Sequence, residues 1–327
     1  MILLSICIPT YNRRRHIIRQ LEFFKKEFLS VDMSSVEVLV SNNASTDGTR
    51  DALDNWTKDN NFFYVNHNAT NLGSRGNMLF LLNKAKGKYV WFPGDDDYLM
   101  KGVLPMLINY LKLNPSYLYI SRRSVIENTK EICSYAKKIS VPFDVMTSVS
   151  YKQLVKMLCN NYTDFKFQTS SIFLRENIIE YEKDFIVYDE DVQANCHSLY
   201  RSLRSMQDGP SFFISKVGVL SGDEISWQDK VIDYLMIRDP YFVNGLVNFG
   251  FSKRDCRQIR EMLLAKSVLS FISNKQMMAS WSRAGYPGWS VKLIPKMVSV
   301  IFGQFLKHLG LSTSYTKVAL NASDFFD

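Results

Sequence analysis

From residue 1 to residue 120, apolar positions alternate between short continuous runs and stripes at helical spacing. Leu3 to Ile8 is a short apolar run that stops at Pro9 and reads as a first strand. Ile17, Leu21, Phe24 and Phe28 then recur at helical spacing. Val36 to Val40 reads as a second strand, closed by the polar turn SNNASTDGT. Ser45 or Thr46 is expected to cap the helix that follows, with Asp47 close behind favouring its positive end. Phe62 to Val65 is expected as a third strand, and Asn77 to Ala85 as a helix that Gly87 ends. Lys88 to Pro93 (KYVWFP) reads as a buried strand, and an amphipathic helix is expected from Leu99 onward. Helices between strands predict an α/β fold with a mainly parallel sheet and right-handed crossovers, the layout of nucleotide-binding proteins.

Beyond Tyr117 the pattern loosens. Strands are expected near Tyr117–Ser121, Ser170–Leu174 and Ser211–Val219, and helices near Tyr151–Asn160 and Val192–Arg204. From Asp229 onward the reading is helical, with packed helices at Tyr234–Phe249 and Ser252–Ile272. A Gly/Pro break at Gly285–Trp289 precedes an apolar-basic segment, Val291–Leu309. These shifts predict one domain over residues 1–225, in halves 1–120 and 121–225, and a helical region over 226–327.

Composition narrows the partners. With 46% hydrophobic and 22% charged residues, disorder is not expected over most of the length. A net charge of +8 favours anions: nucleotides, phospholipid head groups or nucleic acid. Zinc-finger spacing, an aromatic-basic RNA-binding signature and a basic tail are all missing, so no nucleic-acid partner is expected. The five cysteines are scattered and never in a CxxC pair, which argues for reduced thiols in a cytoplasmic protein. The start, MILLSICIPTYN, has no basic residue before its short apolar run and reads as a strand rather than a signal peptide. No run reaches the roughly 18 apolar residues of a membrane span. The four histidines form no metal or triad motif.

The stretch WFPGDDDYL, residues 91–99, ends an apolar strand with Asp95, Asp96 and Asp97. Taken alone, three adjacent carboxylates are a solvated acidic turn. At the C-terminal end of a strand in an α/β sheet, they sit where such sheets bind ligands. Full ionisation of the three is costly unless a cation is present.

Four stretches, in this order and spacing, resemble the family 2 glycosyltransferases, nucleotide-sugar enzymes of the GT-A fold. They are SICIPTYNR (5–13), EVLVSNNASTDGT (37–49), NLGSRGNMLFLLNKAKGKYVWFPGDDDYL (71–99) and YDED (188–191). The resemblance implies a nucleotide-sugar-binding half over 1–120, an acceptor half over 121–225 and a helical extension after them. It implies that Pro9, Thr10, Tyr11 and Asn12 hold the base and ribose, with Arg13 near the phosphates. Asn42 stands where the family has an Asp that contacts base or ribose; an amide both donates and accepts, whereas a carboxylate only accepts. Asn71 and Gly73 belong to the family's N-x-G loop, and Arg75 approaches the diphosphate.

The resemblance also gives the acid triplet a role. An Asp-x-Asp at this strand end binds ribose and a Mg²⁺ or Mn²⁺ that bridges the diphosphate. A hard divalent ion takes few protein oxygens and fills its other sites from phosphate and water. It then neutralises the leaving nucleoside diphosphate. Asp97 and Asp95 are the implied metal ligands, with Asp95 and Asp96 competing for the ribose. The commoner family form is D-x-D-D, and Gly94 stands where its first Asp would be. In YDED, the pair Glu190–Asp191 matches the family's Glu-Asp motif. Asp191 is the implied general base, with Asp189 adding charge nearby. Read without the resemblance, the same carboxylates are the acidic start of a helix. Gln168 to Ser171 falls where family members line the acceptor cleft.

No Q-x-x-R-W motif of the processive synthases occurs, which implies transfer of one sugar per catalytic event. The expected activity is inverting, metal-dependent transfer from a nucleoside-diphosphate sugar to a polyprenyl-diphosphate-linked saccharide. Small basic members often assemble O-antigen or capsule repeats, rhamnosyl- and abequosyltransferases among them. The segment WSVKLIPKMVSVIFGQFLKHLG (289–310) reads either as an interfacial helix on an anionic membrane or as a helix packed on the protein's own core. The first reading puts the enzyme at the inner face of the cell membrane. Two rivals remain: a nucleotidyltransferase, which would carry glycines in the PTYNRRR turn, and a non-catalytic nucleotide-sugar-binding relative.

Overall fold

The computed structural model describes residues 1–124, 155, 158–159, 168–184, 190–221 and 243–273. Strand β1 (Leu4–Thr10) is central because both its faces are buried, Leu4, Ile6 and Ile8 on one and Cys7 on the other. β2 (Val36–Asn42) and β4 (Tyr89–Trp91) flank it in parallel, and β3 (Tyr64–His67) pairs in parallel with β2. The sheet continues from β4 through β7 (Ser171–Leu174), β6 (Tyr117–Ser124), β8 (Ser211–Ser221) and β5 (Tyr98–Leu99), giving eight strands in the order β3-β2-β1-β4-β7-β6-β8-β5. β7 runs antiparallel to both neighbours, β6 and β8 are parallel, and β5 is antiparallel to β8. The expected parallel sheet is therefore its first half, and the second half is mixed.

Helices α1 (Arg14–Glu27), α2 (Thr49–Thr57), α3 (Gly73–Lys84) and α4 (Val103–Leu111) follow β1, β2, β3 and β5. The stripe Ile17, Leu21, Phe24 and Phe28 is buried as its spacing predicts, and Phe24 meets Trp91 of β4 edge-on at 6.0 Å. After β7 and before β8 the chain adds α5 (Arg175–Asp184) and α6 (Glu190–Gln207). α7 (Lys253–Ser273) matches the helix expected at Ser252–Ile272.

Four expectations shift, the first being the helix expected from Asn77, which begins at Gly73. The third strand starts two residues late, because Phe63 turns inward onto Phe28 and Trp56, with ring centroids 5.4 and 4.8 Å away. The helix expected from Leu99 begins at Val103, because Tyr98 and Leu99 pair with Leu220 and Val219. Its cap comes from the end of α1: the Glu27 carboxylate accepts from the amides of Gly102 and Leu104 at 2.9 and 3.1 Å. The N-cap of α2 is Gly48, in the left-handed region at φ 82°, rather than Ser45 or Thr46; just before it, the Asp47 carboxylate accepts from the Thr49 amide at 3.1 Å.

Two compact units are distinguished. The first takes residues 1–148, 167–189 and 197–224 and holds the whole sheet. The second takes 149–166, 190–196 and 225–327; in it α7 buries Cys256, Ile259 and Leu263. Most of the helix expected at Tyr151–Asn160, residues 234–242 of the one at Tyr234–Phe249, and the whole of 289–310 lie outside the described residues; 246–249 form a single 3₁₀ turn. Among the described residues, no helix is long and apolar enough to cross a membrane.

Candidate active site

The carboxyl ends of β1, β2, β3 and β4 share one edge of the sheet, where α/β sheets bind ligands. After β1 the chain turns through Tyr11 and Asn12, both exposed, with Asn12 in the left-handed region at φ 53°. Asparagine tolerates that conformation better than most residues. The turn is tied to the SNNASTDGT turn by three bonds. The Asn12 amide donates to Ser45 Oγ at 2.8 Å, the Thr46 amide donates to Asn12 Oδ1 at 2.8 Å, and the Arg14 amide donates to Asp47 Oδ2 at 3.1 Å. Burial works to raise the Asp47 carboxyl, but the bonds from Thr49 and Arg14 outweigh it and hold it below its ordinary value.

The acid triplet is anchored from β1, α1 and the 3₁₀ turn (Gln168–Ser170) that leads into β7. Thr10 Oγ1 donates to Asp95 Oδ2 at 2.7 Å, and the Arg13 guanidinium stands 3.8 Å from Asp96 Oδ2. Arg19 donates to the Asp96 carbonyl at 2.7 Å and stacks over the Tyr98 ring at 3.7 Å. Gln20 Nε2 donates to the Gly94 carbonyl at 3.1 Å. Asp97 is buried: its Oδ2 accepts from Thr169 Oγ1 at 2.6 Å and from the Gly94 amide at 3.0 Å. The Gly94 amide also reaches Thr169 Oγ1, at 3.1 Å.

This explains glycine at position 94. A Cβ there would lie 2.5 Å from Asp97 Oδ2 and 2.9 Å from Asp96 Oδ1. Gly94→Ala should push both carboxylates out of place and cost about 1–3 kcal/mol of stability, the range for overpacking. A urea titration checks it, and an unchanged midpoint would mean the turn has room.

Burial pushes the Asp95 carboxyl up to about 7; the Thr10 bond opposes this, while Asp96 and Asp97 add to it. A carboxyl raised in the fold binds more protons than in the unfolded chain across that window. Without a cation, stability is therefore greatest below the ordinary carboxylate value and falls as pH rises through about 7. Melting curves in EDTA across this range should show the fall, and Asp95→Asn should flatten it.

The remaining predicted residues fall into two groups. Asn42 is buried, its Oδ1 accepting from the Ser45 amide at 3.2 Å and its Nδ2 facing His67 Nδ1 at 3.1 Å. His67 Nε2 faces Asp54 Oδ1 at 2.8 Å, which assigns the proton to Nε2 and leaves Nδ1 to accept from Asn42. Arg75 pairs with Glu182 of α5 at 3.3 Å. Pro9 and Thr10 close β1 beside the turn. Glu190 and Asp191 open α6, but their side chains, with Tyr188 and Asp189, lie outside the described residues.

Three features were not singled out from sequence: Arg19, Gln20 and a network of carboxamides; Thr169 falls within the Gln168–Ser171 stretch expected at the acceptor cleft, and its hydroxyl bonds Asp97. Asn43 Nδ2 donates to Asn71 Oδ1 at 2.8 Å and its Oδ1 accepts from Asn68 at 3.1 Å. Asn68 donates to Asn77 at 2.9 Å, and Asn77 donates to the Ser41 carbonyl at 2.9 Å. The amides thus join the end of β2, the chain after β3 and the first turns of α3. The signal for Gln20 was legible, because it is a polar residue on the buried face of α1.

The donor set at the triplet is made of carboxylates, without sulfur or imidazole, and suits Mg²⁺ or Mn²⁺. Among the described residues, no three acidic, histidine or cysteine side chains converge as a ready-made cage. A cation here would rest on one or two carboxylates and complete its shell from phosphate and water.

An exposed turn after β1 beside an acidic strand end, on a sheet of this topology, is the layout of the GT-A fold. Residues 5–181, more than half of the chain, match the family model for Glycosyl transferase family 2, and the chain belongs to that family. Its solved neighbours share the fold. A crystal structure of S. aureus TarS 1-349 superposes with a TM-score of 0.58 at 16% identity, covering 98% of this chain and 89% of that one. A mannosyltransferase from Pyrobaculum calidifontis in complex with GDP-Man and Mn²⁺ gives 0.52 at 15% identity, over 98% and 84%. Among curated relatives, the abequosyltransferase RfbV of Salmonella typhimurium is 40% identical over 111 residues. A Campylobacter jejuni GalNAc(5)-diNAcBac-PP-undecaprenol beta-1,3-glucosyltransferase is 32% identical over 126. These matches span about a third of each relative, 32% and 38% of their lengths.

Proposed function

We propose that the protein transfers one sugar from a nucleoside-diphosphate sugar to a hydroxyl of a lipid-linked surface-polysaccharide intermediate, with inversion. The observation that carries this reading is the Thr10–Asp95 bond at 2.7 Å, which joins the nucleotide turn to the acid triplet. The exposed Tyr11 and Asn12 offer a ring and a carboxamide to base and ribose, and Arg13, beside Asp96, brings positive charge to the phosphates. Asp95 and Asp97 have the spacing to hold Mg²⁺ or Mn²⁺, with Asp95 and Asp96 available to the ribose. Such an ion supplies neutralising charge for the departing diphosphate.

In this reading Asp191, aided by Glu190, takes the proton of the acceptor hydroxyl as its oxygen attacks the anomeric carbon. The lipid-linked acceptor draws support from the Campylobacter relative, whose name carries an undecaprenol-linked diphosphate. The apolar-basic segment 289–310 would keep the enzyme beside such a lipid on an anionic membrane.

Thermal shift against a panel of nucleoside-diphosphate sugars, with and without Mn²⁺, tests the donor half. Mass spectrometry of products on prenyl-diphosphate saccharides tests the acceptor half. One donor should raise the melting temperature more in Mn²⁺ than in EDTA. Release of pyrophosphate from a sugar phosphate and a nucleoside triphosphate would instead establish a nucleotidyltransferase.

A further inference from the structure

His67 closes β3, and its ring lies between Asn42 at the end of β2 and Asp54 of α2. The Ser45 backbone amide can only donate, so the atom it meets at 3.2 Å must be the Asn42 oxygen. Asn42 Nδ2 therefore faces His67 Nδ1 at 3.1 Å, and it too can only donate. This pairing needs an unprotonated Nδ1. The single proton of the neutral ring then goes to Nε2, toward Asp54 Oδ1 at 2.8 Å.

Asn42 is 1% exposed, so it acts on a ligand through what it holds rather than by touch. What it holds is a strained turn. Ala44 sits in the left-handed region at φ 59°, where alanine is rarely found, and its amide donates to the Asn42 carbonyl at 3.0 Å. Next along, Ser45 Oγ accepts from the Asn12 amide, and the Thr46 amide donates to Asn12 Oδ1. Asn42, Ser45 and Asn12 thus form one bonded path from the His67 ring to the exposed turn at Tyr11 and Asn12.

A proton added at Nδ1 sets two donors against each other at 3.1 Å. Turning the Asn42 amide over offers its oxygen to the ring but sets Nδ2 against the Ser45 amide, so the clash moves without vanishing. The charged groups paired with the ring, among the described residues, are Asp54 and, behind it, Arg50, whose Nε lies 3.9 Å from Asp54 Oδ2. Asp54 accepts from Nε2 in either state, so protonation is felt on the Asn42 side. We propose that His67 is a positioning residue for nucleotide binding: neutral, it keeps Asn42 on Ser45 and the turn at Tyr11 and Asn12 in place; protonated, it releases them. The inference deepens the transferase reading and rests on it only for the ligand, a nucleoside-diphosphate sugar.

Histidine takes up a proton between about pH 8 and about pH 5, and the test spans that range with the full chain. In metal-free protein, NMR should show the Ser45 and Asn12 amide signals moving together with the His67 imidazole nitrogens. Calorimetry in Mg²⁺ then uses the nucleoside-diphosphate sugar that the thermal-shift panel selects. Asp95 titrates alike in wild type and variants, so only the difference between them is read. Wild-type affinity should fall across the range at least about fivefold further than that of His67→Asn, the lower end of ordinary coupling between sites. Asparagine there offers an acceptor oxygen near the place of Nδ1 and takes up no proton. Asn42→Asp should flatten the fall as well, because a carboxylate accepts from the Ser45 amide and from a charged ring together. If His67→Asn does not fold, Asn42→Asp decides. An imidazole that stays neutral to the acid end, Ser45 and Asn12 signals that ignore its titration, or equal pH dependence in wild type and both variants overturns the proposal. If no nucleoside-diphosphate sugar binds while Ser45 and Asn12 follow the ring, the transferase reading falls and the coupling stands. Sugar transfer with equal pH dependence in wild type and His67→Asn sinks the positioning role alone.

Discussion

Asp97→Asn should cut Mn²⁺-dependent sugar transfer by more than about 10²-fold, the loss typical when a group stabilising transition-state charge is removed. The fold should survive the change. Asp97 Oδ2 accepts from the Gly94 amide and the Thr169 hydroxyl, and an asparagine Oδ1 can accept both bonds. What disappears is the negative charge at the proposed cation site. Donor-dependent thermal shift in Mn²⁺ should shrink with the activity, while the melting temperature without ligand changes little. Full activity of this variant, or of wild type in EDTA, would remove the metal from the mechanism.

Asp191→Asn should lower kcat by roughly 10²–10⁴-fold, the usual contribution of a general base. Asparagine is nearly isosteric and cannot take the proton, so the donor's affinity should stay close to wild type. Asp191 is the second residue of α6, so its backbone belongs to a helix rather than to a loop. The variant's pH profile is the second readout, since a lost base removes the acid limb of the wild-type curve. Weakened donor binding instead would make Asp191 part of the donor pocket.

The parallel half of the sheet was legible because β1, β2 and β4 are largely buried on both faces and read as near-continuous apolar runs, as at Leu4–Ile8. The mixed half was not, since pairing Tyr98 with Leu220 depends on residues 122 positions apart, and a two-residue strand leaves no period. The site was legible where it is local. Thr10, Arg13 and the triplet lie in the turns that the motifs mark. The supports were not: Gln20 and Glu27 reach partners 74 and 77 residues away, and Thr169, in a stretch expected at the acceptor cleft, bonds Asp97 across 72 residues. A polar residue on a buried face was the only trace that Gln20 left. Phe63 misled for a related reason, because an aromatic suits a strand and a core cluster equally well and the packing decided.

The carboxamide network has a consequence for ageing of the protein. Asn43, Asn68, Asn71 and Asn77 are neutral, so the joints they form at the sheet edge hold equally at any pH and ionic strength where the fold persists. Hydrolysis of one side chain to a carboxylate would end that neutrality. Asn43 would lose the donor that reaches Asn71 and Gly73, and a new negative charge would repel an incoming diphosphate. Slow chemical damage at this corner would therefore erode the proposed nucleotide binding while the hydrophobic core stayed whole.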